Sequence, residues 1–380
     1  MISAQRHDAL VVGGGPAGAA LARELAAAGR SVALLERDSE TRHKVCGEFL
    51  SPEAIPLLAA AGVDLVSLGA QRIHALRIAR RDVIAEVELP EAGWALTRLA
   101  LDQALLARAK DAGAEVLCGF NVQSLERNPG VADGGWQAQT TNTGHSAMRI
   151  QGGEAFLATG KHDLRGWARE TKSTQSELVA LKMYFALSPE QQSRLAGHVE
   201  LIVYPGGYTG LQPVEAERAN LCVLIQRSKL QQLGGRWQSL LDYMQQHSTH
   251  LANRLSGARP LLARPLAISS IPYGFRAKQE RSFQGPWRLG DQAAVIPSFC
   301  GDGMAIALDT AHRAAQMYLC GSSQADFQRE VYRRISGRIR LATHISKLIV
   351  VAPWITQVAG YWPPVIRKIF TATRVTSTAT

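Results

Sequence analysis

Asp8-Ala9-Leu10-Val11-Val12-Gly13-Gly14-Gly15-Pro16-Ala17-Gly18 opens a unit that closes at Glu36 and decides the fold of this 380-residue chain. Leu10 to Val12 is a short apolar run suited to a buried parallel strand. Gly13, Gly15 and Gly18 then give the spacing G-x-G-x-x-G. In such a unit the first glycine permits a tight turn out of the strand, and the second lets a pyrophosphate reach the backbone. The third lets the next helix pack close to the sheet. Ala17 to Ala28, rich in alanine with Leu21 and Leu25, is a strong helix former that Gly29 ends. The N–H groups and dipole at its start, around Pro16 and Ala17, favour an anion. Ser31 to Leu35 is a second apolar strand. Glu36 at its end, followed by Arg37, stands where a carboxylate accepts hydrogen bonds from ribose hydroxyls, which disfavours a 2′-phosphate. Strand before, helix after and acid at the right distance predict a dinucleotide site rather than an ordinary glycine turn.

The composition, 46% hydrophobic and 19% charged, is that of a globular protein and excludes a disordered chain. At 380 residues the expectation is two intimately joined domains. A net charge of +10 would suit nucleic acid, yet the basic residues are scattered, with no zinc finger or basic arm. A basic surface facing anionic lipid or an acidic substrate is the better expectation, and no nucleic-acid partner is predicted. Met1 to His7 is polar, so no secretory segment is expected and a cytoplasmic location is. Cys46, Cys118, Cys222, Cys300 and Cys320 form no C-x-x-C, which predicts neither a disulfide scaffold nor a metal site.

Beyond Glu36 a polar loop through Arg42, His43 and Lys44 leads to Cys46-Gly47-Glu48 and a Pro52-initiated helix to about Ala61. Ile73 to Leu89 reads as a pair of strands. Arg98 to Ala112 is an amphipathic helix, Ala114 to Leu117 a buried strand, Phe120 to Gln139 a β-meander, and Glu154 to Ala158 an apolar strand running into Thr159-Gly160. From about Thr174 the runs become longer and β-rich. Leu178 to Leu187, Val199 to Tyr204 and Asn220 to Arg227, separated by glycine turns, predict an antiparallel sheet, with a helix near Trp237 to Gln246. Trp287 to Leu289 is a strand closed by Gly290-Asp291, and Gly301-Asp302-Gly303-Met304 opens a helix to about Leu319. The remaining tail mixes Ile339, Leu341, Leu348, Trp354, Trp362 and Phe370 with Arg333, Arg340, Lys347, Arg367 and Lys368. No run reaches spanning length. A basic amphipathic tail of this kind either lies on a membrane surface or packs on the body.

The glycine unit with Glu36, the helix carrying Arg98 and Asp102, and the Gly290-Asp291 segment together resemble the FAD-dependent monooxygenase superfamily of the aromatic hydroxylase and geranylgeranyl reductase type. The resemblance covers most of the chain and implies an α/β fold. A Rossmann-like FAD-binding domain, discontinuous over 1–70, 92–173 and 283–325, carries an inserted antiparallel β-sheet substrate domain over 71–91 and 174–282. A helical C-terminal segment over 326–380 completes it. The resemblance makes Asp291, Pro297, Gly301, Gly303 and Met304 the second FAD fingerprint, with Asp291 bonding a hydroxyl of the ribityl or pyrophosphate region. Backbone N–H groups at a helix start there stabilise negative charge on the reduced ring. Arg98 reaches FAD by resemblance; in its own right, a first-turn arginine is unfavourable to the helix dipole and points to an anionic partner. Where many hydroxylases have Asp-Gly, this chain reads Thr159-Gly160. Gly160 is expected at the cofactor, but the usual handling of NADH or NADPH, the expected electron donors, loses its carboxylate.

Lys44-Val45-Cys46-Gly47-Glu48 is similar to the K-x-C-G loop of the geranylgeranyl reductase branch and sets Cys46 and Gly47 near the flavin. Cys46, Glu48 and Cys300 are the catalytic candidates, and His43 is a proton carrier by location. For either cysteine the small buried residue is the first reading and redox chemistry the second. Tyr204, Tyr208 and Gln212 occupy the segment expected to line the substrate cavity, which a glycine-rich hairpin explains as well. The resemblance implies an FAD-dependent oxidoreductase, first a monooxygenase hydroxylating a hydrophobic small molecule through a flavin hydroperoxide. The alternatives are a reductase of isoprenoid-type or other carbon–carbon double bonds and a flavin-binding accessory protein without turnover. A halogenase would want W-x-W-x-I-P, which is absent.

Overall fold

The glycine turn forms because two apolar strands flank it. The computed structural model describes residues 6–128, 134–142, 145–172, 174–277, 284–351 and 372–374. In chain order β1 (Arg6–Val12), α1 (Pro16–Ala27) and β2 (Val32–Glu36) build the opening unit. Next come β3 (Phe49–Leu50), α2 (Ala54–Ala60), β4 (Gln71–Arg80), β5 (Val83–Ala95), α3 (Arg98–Asp111) and β6 (Glu115–Cys118). They lead to β7 (Phe120–Arg127), β8 (Trp136–Asn142) and β9 (His145–Leu157). Strands β6, β2, β1, β9, β8 and β7 lie in that order in one sheet, and β16 (Trp287–Arg288) returns late in the chain to pair with β9 in parallel.

The expected meander, β7 and β8, gains a third strand that is continuous with the apolar strand expected over Glu154 to Ala158. The first half of β9 pairs antiparallel with β8, and its second half, from Gln151, pairs parallel with β1. This continuity carries the meander straight into the nucleotide-binding layer.

The second sheet uses β10 (Leu178–Ala186), β11 (His198–Tyr204), β12 (Gly207–Val214), β13 (Arg218–Gln226), β14 (Arg259–Pro260) and β15 (Leu266–Ser269). Its order is β14, β10, β13, β12, β11, β4, β5, β3, with β15 also on β10. The sheet is not wholly antiparallel, because β4 and β11 pair in parallel. It also reaches beyond the expected 71–91 segment: β5 runs to Ala95, and β3, inside the first FAD-domain segment, pairs with it.

Side chains alternate across a strand, so the two faces of this sheet differ. Val179, Leu181, Met183, Leu221 and Ile225 face outward against α6 (Trp237–Gln246) and α7 (Thr249–Arg254), which follow the short helices α4 (Pro189–Leu195) and α5 (Arg227–Gln232), with Leu240 and Met244 buried one turn apart on α6. Burying each such side chain is worth about 1.5–3 kcal/mol. Lys182, Tyr184, Asn220, Cys222 and Leu224 are on the alternate face, turned toward the nucleotide layer. Behind the first sheet, α8 (Gly303–Leu319) packs on α1, and α9 (Gln324–Val351) follows it. Trp354, Trp362, Arg367, Lys368 and Phe370 of the expected membrane-surface tail lie outside the described residues.

Candidate active site

One cavity of about 580 Å³ runs from the glycine turn to the inner face of the second sheet. At its nucleotide end the three motif glycines do different work. Gly13 has φ +109°, and a Cβ there would stand 2.4 Å from Ala158 O; a Cβ on Gly18 would stand 1.8 Å from Gly13 O. Those two are required by the chain's own close approach. Gly15 is open: a Cβ on it would meet only Arg98 Nη2, at 3.5 Å. No side chain caps α1, which starts with Pro16, so its first N–H groups face the cavity without a helical partner.

Glu36 Oε2 accepts from Gly14 N at 2.6 Å and Oε1 from Asp38 N at 3.0 Å. The carboxylate thus braces the turn and retains lone pairs for a ribose. Arg98 donates to Asp102 through Nε at 2.8 Å and Nη2 at 2.9 Å. The anion that its helix position called for is therefore supplied in part from within α3. Burial opposes the guanidinium charge, but Asp102 outweighs it and raises the pKa. Lys44 Nζ stands 3.3 Å from the same carboxylate.

At the far wall Gly290 N donates to Thr310 Oγ1 at 2.9 Å, fixing the turn that carries Asp291. The Asp291 carboxylate lines the cavity and accepts no hydrogen bond among the described residues. No side chain caps α8 either, and a Cβ on Gly303 would meet nothing within 4 Å. Two uncapped helix starts, an unused carboxylate and two open glycines face one cavity, and they fit a flavin dinucleotide. The start of α1 with Arg98 would hold the diphosphate, Glu36 the ribose, Asp291 a hydroxyl, and Gly303 with Met304 the ring's pyrimidine edge.

Arg37, Gly160 and Gly301 line the cavity as expected. Gly18 and Pro297 do not. Gly18 is spent on packing α1 against the turn, and Pro297 starts the short turn Ser298–Cys300, its carbonyl accepting from Cys300 N at 3.2 Å.

The loop from His43 to Glu48 crosses the middle of the cavity and is held unusually fully. Four consecutive carbonyls each accept from a side chain. Lys182 Nζ reaches Lys44 O at 3.1 Å, Lys161 Nζ reaches Val45 O at 2.9 Å, and Asn220 Nδ2 reaches Cys46 O at 3.1 Å and Gly47 O at 2.8 Å. Glu48 then adopts φ +63°, in the left-handed region. Its buried carboxylate accepts from Arg98 N at 2.7 Å and from Tyr184 Oη at 2.8 Å, and pairs with Lys182 Nζ at 2.5 Å. Burial raises the Glu48 carboxyl against the pull of Lys182 and these hydrogen bonds. Tyr184 Oη also lies 3.1 Å from His43 Nδ1. Burial, then Lys182 and Arg218, lower the His43 pKa. The two proton carriers proposed by location are thus joined through Tyr184. Cys46, half-buried, lines the cavity, and its Sγ accepts from Glu48 N at 3.3 Å.

At the sheet end, Tyr208 and Gln212 line the cavity with Ala180, Leu201, Leu224 and Ile268. Tyr204 does not. It shares a strand face with Ile202, is buried in the outer cluster, and meets Tyr243 of α6 edge-on at 6.2 Å. One step of β alternation separates it from the cavity. Cys300 lines the cavity, but burial pushes its thiol well up, which disfavours a thiolate.

Lys182, Tyr184, Asn220 and Lys161 were missed by sequence reasoning. Lys182 did leave a signal: it is the one charged residue in Leu-Val-Ala-Leu-Lys-Met-Tyr-Phe-Ala, and a lysine in a buried strand needs a buried anion.

Residues 6–145 match the FAD binding domain family. The menaquinone reductase of Mycolicibacterium smegmatis is 27% identical over 333 residues, which cover 83% of this chain and 77% of that protein. Digeranylgeranylglycerophospholipid reductase 2 of Methanosphaera stadtmanae is 25% identical over 314 residues, covering 80% and 75%. Among solved structures, the flavin-dependent brominase Bmp2 superposes with a TM-score of 0.80 over 98% of this chain and 95% of its own, at 15% identity. That likeness is one of fold.

Proposed function

We propose that this chain, an FAD-dependent oxidoreductase of the superfamily that joins flavin monooxygenases to geranylgeranyl reductases, reduces a carbon–carbon double bond in a polyprenyl chain. The observation that carries the reading is that one cavity joins the nucleotide end to the stretch of the second sheet lined by Ala180, Leu201, Leu224 and Ile268. A polyprenyl chain is long, apolar and rich in double bonds, and it is what menaquinone and a digeranylgeranyl lipid have in common. Sequence reading put hydroxylation first. The weight moves to reduction because the relatives aligning over four fifths of the chain are named as reductases.

Reduced FAD, when bound, supplies the hydride. The chain must then orient the alkene, exclude water and deliver a proton to the second carbon. Ala180, Leu201, Leu224 and Ile268 give the apolar bed. Cys46 stands between the two ends of the cavity and is the residue assigned to the proton. Electrons are taken to come from NADH or NADPH, accepted without the carboxylate that Thr159 replaces.

The test is anaerobic reduction with each nicotinamide, followed by incubation with menaquinone or a geranylgeranyl lipid and mass analysis, with a parallel sample under ¹⁸O₂. A gain of two hydrogens supports the reading. Incorporation of ¹⁸O without added hydrogen replaces it with oxygenation.

A further inference from the structure

Helix α9 has two faces of opposite character. On its inner side Ile345, Ile349 and Val350 pack into the apolar cluster that contains Tyr208, Leu224 and Phe299, three residues of the cavity wall. Two further contacts join the helix to the residues beside that wall. Ser346 Oγ donates to Gln175 Oε1 at 3.0 Å, and Thr343 lies against Gly274, where a Cβ would meet Thr343 Oγ1 at 2.8 Å.

On its outer side Arg340, Leu341, His344, Lys347, Leu348 and Val351 follow one another at spacings of one or three and are all exposed. Leu341, Leu348 and Val351 expose 41%, 50% and 76% of their surface. From Val331 to Val351 the helix carries Arg333, Arg334, Arg338, Arg340 and Lys347 and no acidic residue. The whole chain is cationic, at +10. Arg333 pairs with Glu330 one turn earlier, so the exposed cations beside Leu341, Leu348 and Val351 are Arg340 and Lys347, and aliphatic side chains among such cations suit a helix lying in a headgroup layer. Among the described residues no helix is long and apolar enough to cross a membrane.

We propose that this outer face of α9 docks the protein on an anionic lipid surface, with the cavity wall directly behind it receiving substrate from the bilayer. Docking rests on α9 alone; delivery of substrate rests on the polyprenyl reading above. Cations and aliphatics act together, so that the charges bring the helix to the headgroups and the three aliphatic side chains sink between them.

The experiment is flotation of the FAD-loaded protein with phosphatidylcholine vesicles, with and without phosphatidylglycerol. The expected result is binding that requires phosphatidylglycerol and is released by salt. Leu341→Asp with Leu348→Asp abolishes it, while Val66→Asp, a substitution at a 70% exposed site elsewhere, leaves it unchanged. Arg340→Glu and Lys347→Glu each weaken partitioning about fivefold or more. These keep the test open if the double aspartate variant fails to retain FAD. Absence of wild-type binding to anionic vesicles, or α9 variants that bind as wild type does, overturns the proposal. Flotation needs no turnover, so this outcome is read separately from the reduction assay.

Discussion

Lys182 and Glu48 form an ion pair at 2.5 Å with both side chains shut off from solvent, joining the centre of β10 to the loop that carries Cys46. Removing one partner leaves the other charge buried and unpaired, which costs about 3–5 kcal/mol. Lys182→Met is therefore expected to lower the urea midpoint sharply and, by freeing Lys44 O, to loosen FAD. Adding Glu48→Gln restores part of the loss, because a glutamine still accepts from Arg98 N and carries no charge. Urea unfolding and bound-flavin absorbance measure both effects. A Lys182→Met protein as stable as wild type would remove this pair from the loop's support.

Gly18 and Gly303 separate the fold's need for glycine from the cofactor's. Gly18→Ala drives a methyl to 1.8 Å from Gly13 O, so the backbone must shift even without ligand. Both stability and FAD content should fall. Gly303→Ala enters open space at the start of α8, and alanine there favours the helix by up to about 1 kcal/mol. The apoprotein should be as stable as wild type or slightly more so, while FAD binds more weakly. Titration of the two apoproteins with FAD decides it; unchanged affinity in Gly303→Ala would remove the flavin from the N-terminus of α8.

The nucleotide half was legible because each of its signals is local. Gly13, Gly15 and Glu36 lie within one strand–helix–strand unit, and the apolar periods around them are unambiguous. The support of the Cys46 loop was not, because it comes from Lys161, Lys182 and Asn220, more than a hundred residues away, and no local pattern couples them. Tyr204 failed for another reason. Tyr204 and Tyr208 flank one turn, and which of them faces the cavity depends on the register of β11 against β12, set by the pairing Tyr204 with Gly207. Periodicity alone gives two faces without saying which is inside.

Glu200 should make the protein acid-sensitive in a defined window. It faces α7, where His250 Nε2 at 2.8 Å and Arg254 Nη2 at 2.6 Å contact its carboxylate, with Arg77 Nη1 at 3.3 Å. Burial by itself would raise this carboxyl, but the hydrogen bonds from His250 and Arg254 hold it down to about 2, against an ordinary 4.5. A depressed folded-state value means stability that is present above pH 4.5 and lost as pH falls toward 2. At about 1.4 kcal/mol per pH unit the contribution is about 3 kcal/mol. Glu200→Gln should be less stable than wild type at neutral pH, and the gap should close through that window. A gap in urea midpoint that stays constant with pH would contradict the assignment.

Cys46 is the residue on which reduction and mere flavin binding part. Its loop is pinned by four side-chain contacts to carbonyls, so replacing the thiol should disturb neither the loop nor the nucleotide end. Cys46→Ala is therefore expected to retain stoichiometric FAD and to accept electrons from the nicotinamide at the wild-type rate. Removing a positioned proton donor slows the step that needs it by about 10²–10⁴-fold. Release of saturated product should fall by that factor while flavin reduction does not, a split that stopped-flow absorbance and product mass analysis resolve. Equal loss in both half-reactions would mean that the cysteine serves the cofactor's seat. Full turnover without it would move the proton to His43 or Tyr208, which line the same cavity. The second of these is the weaker acid, since burial raises its hydroxyl well above the ordinary value, so a turnover that survives in Cys46→Ala and vanishes on adding His43→Ala would identify the His43, Tyr184 and Glu48 chain as the route.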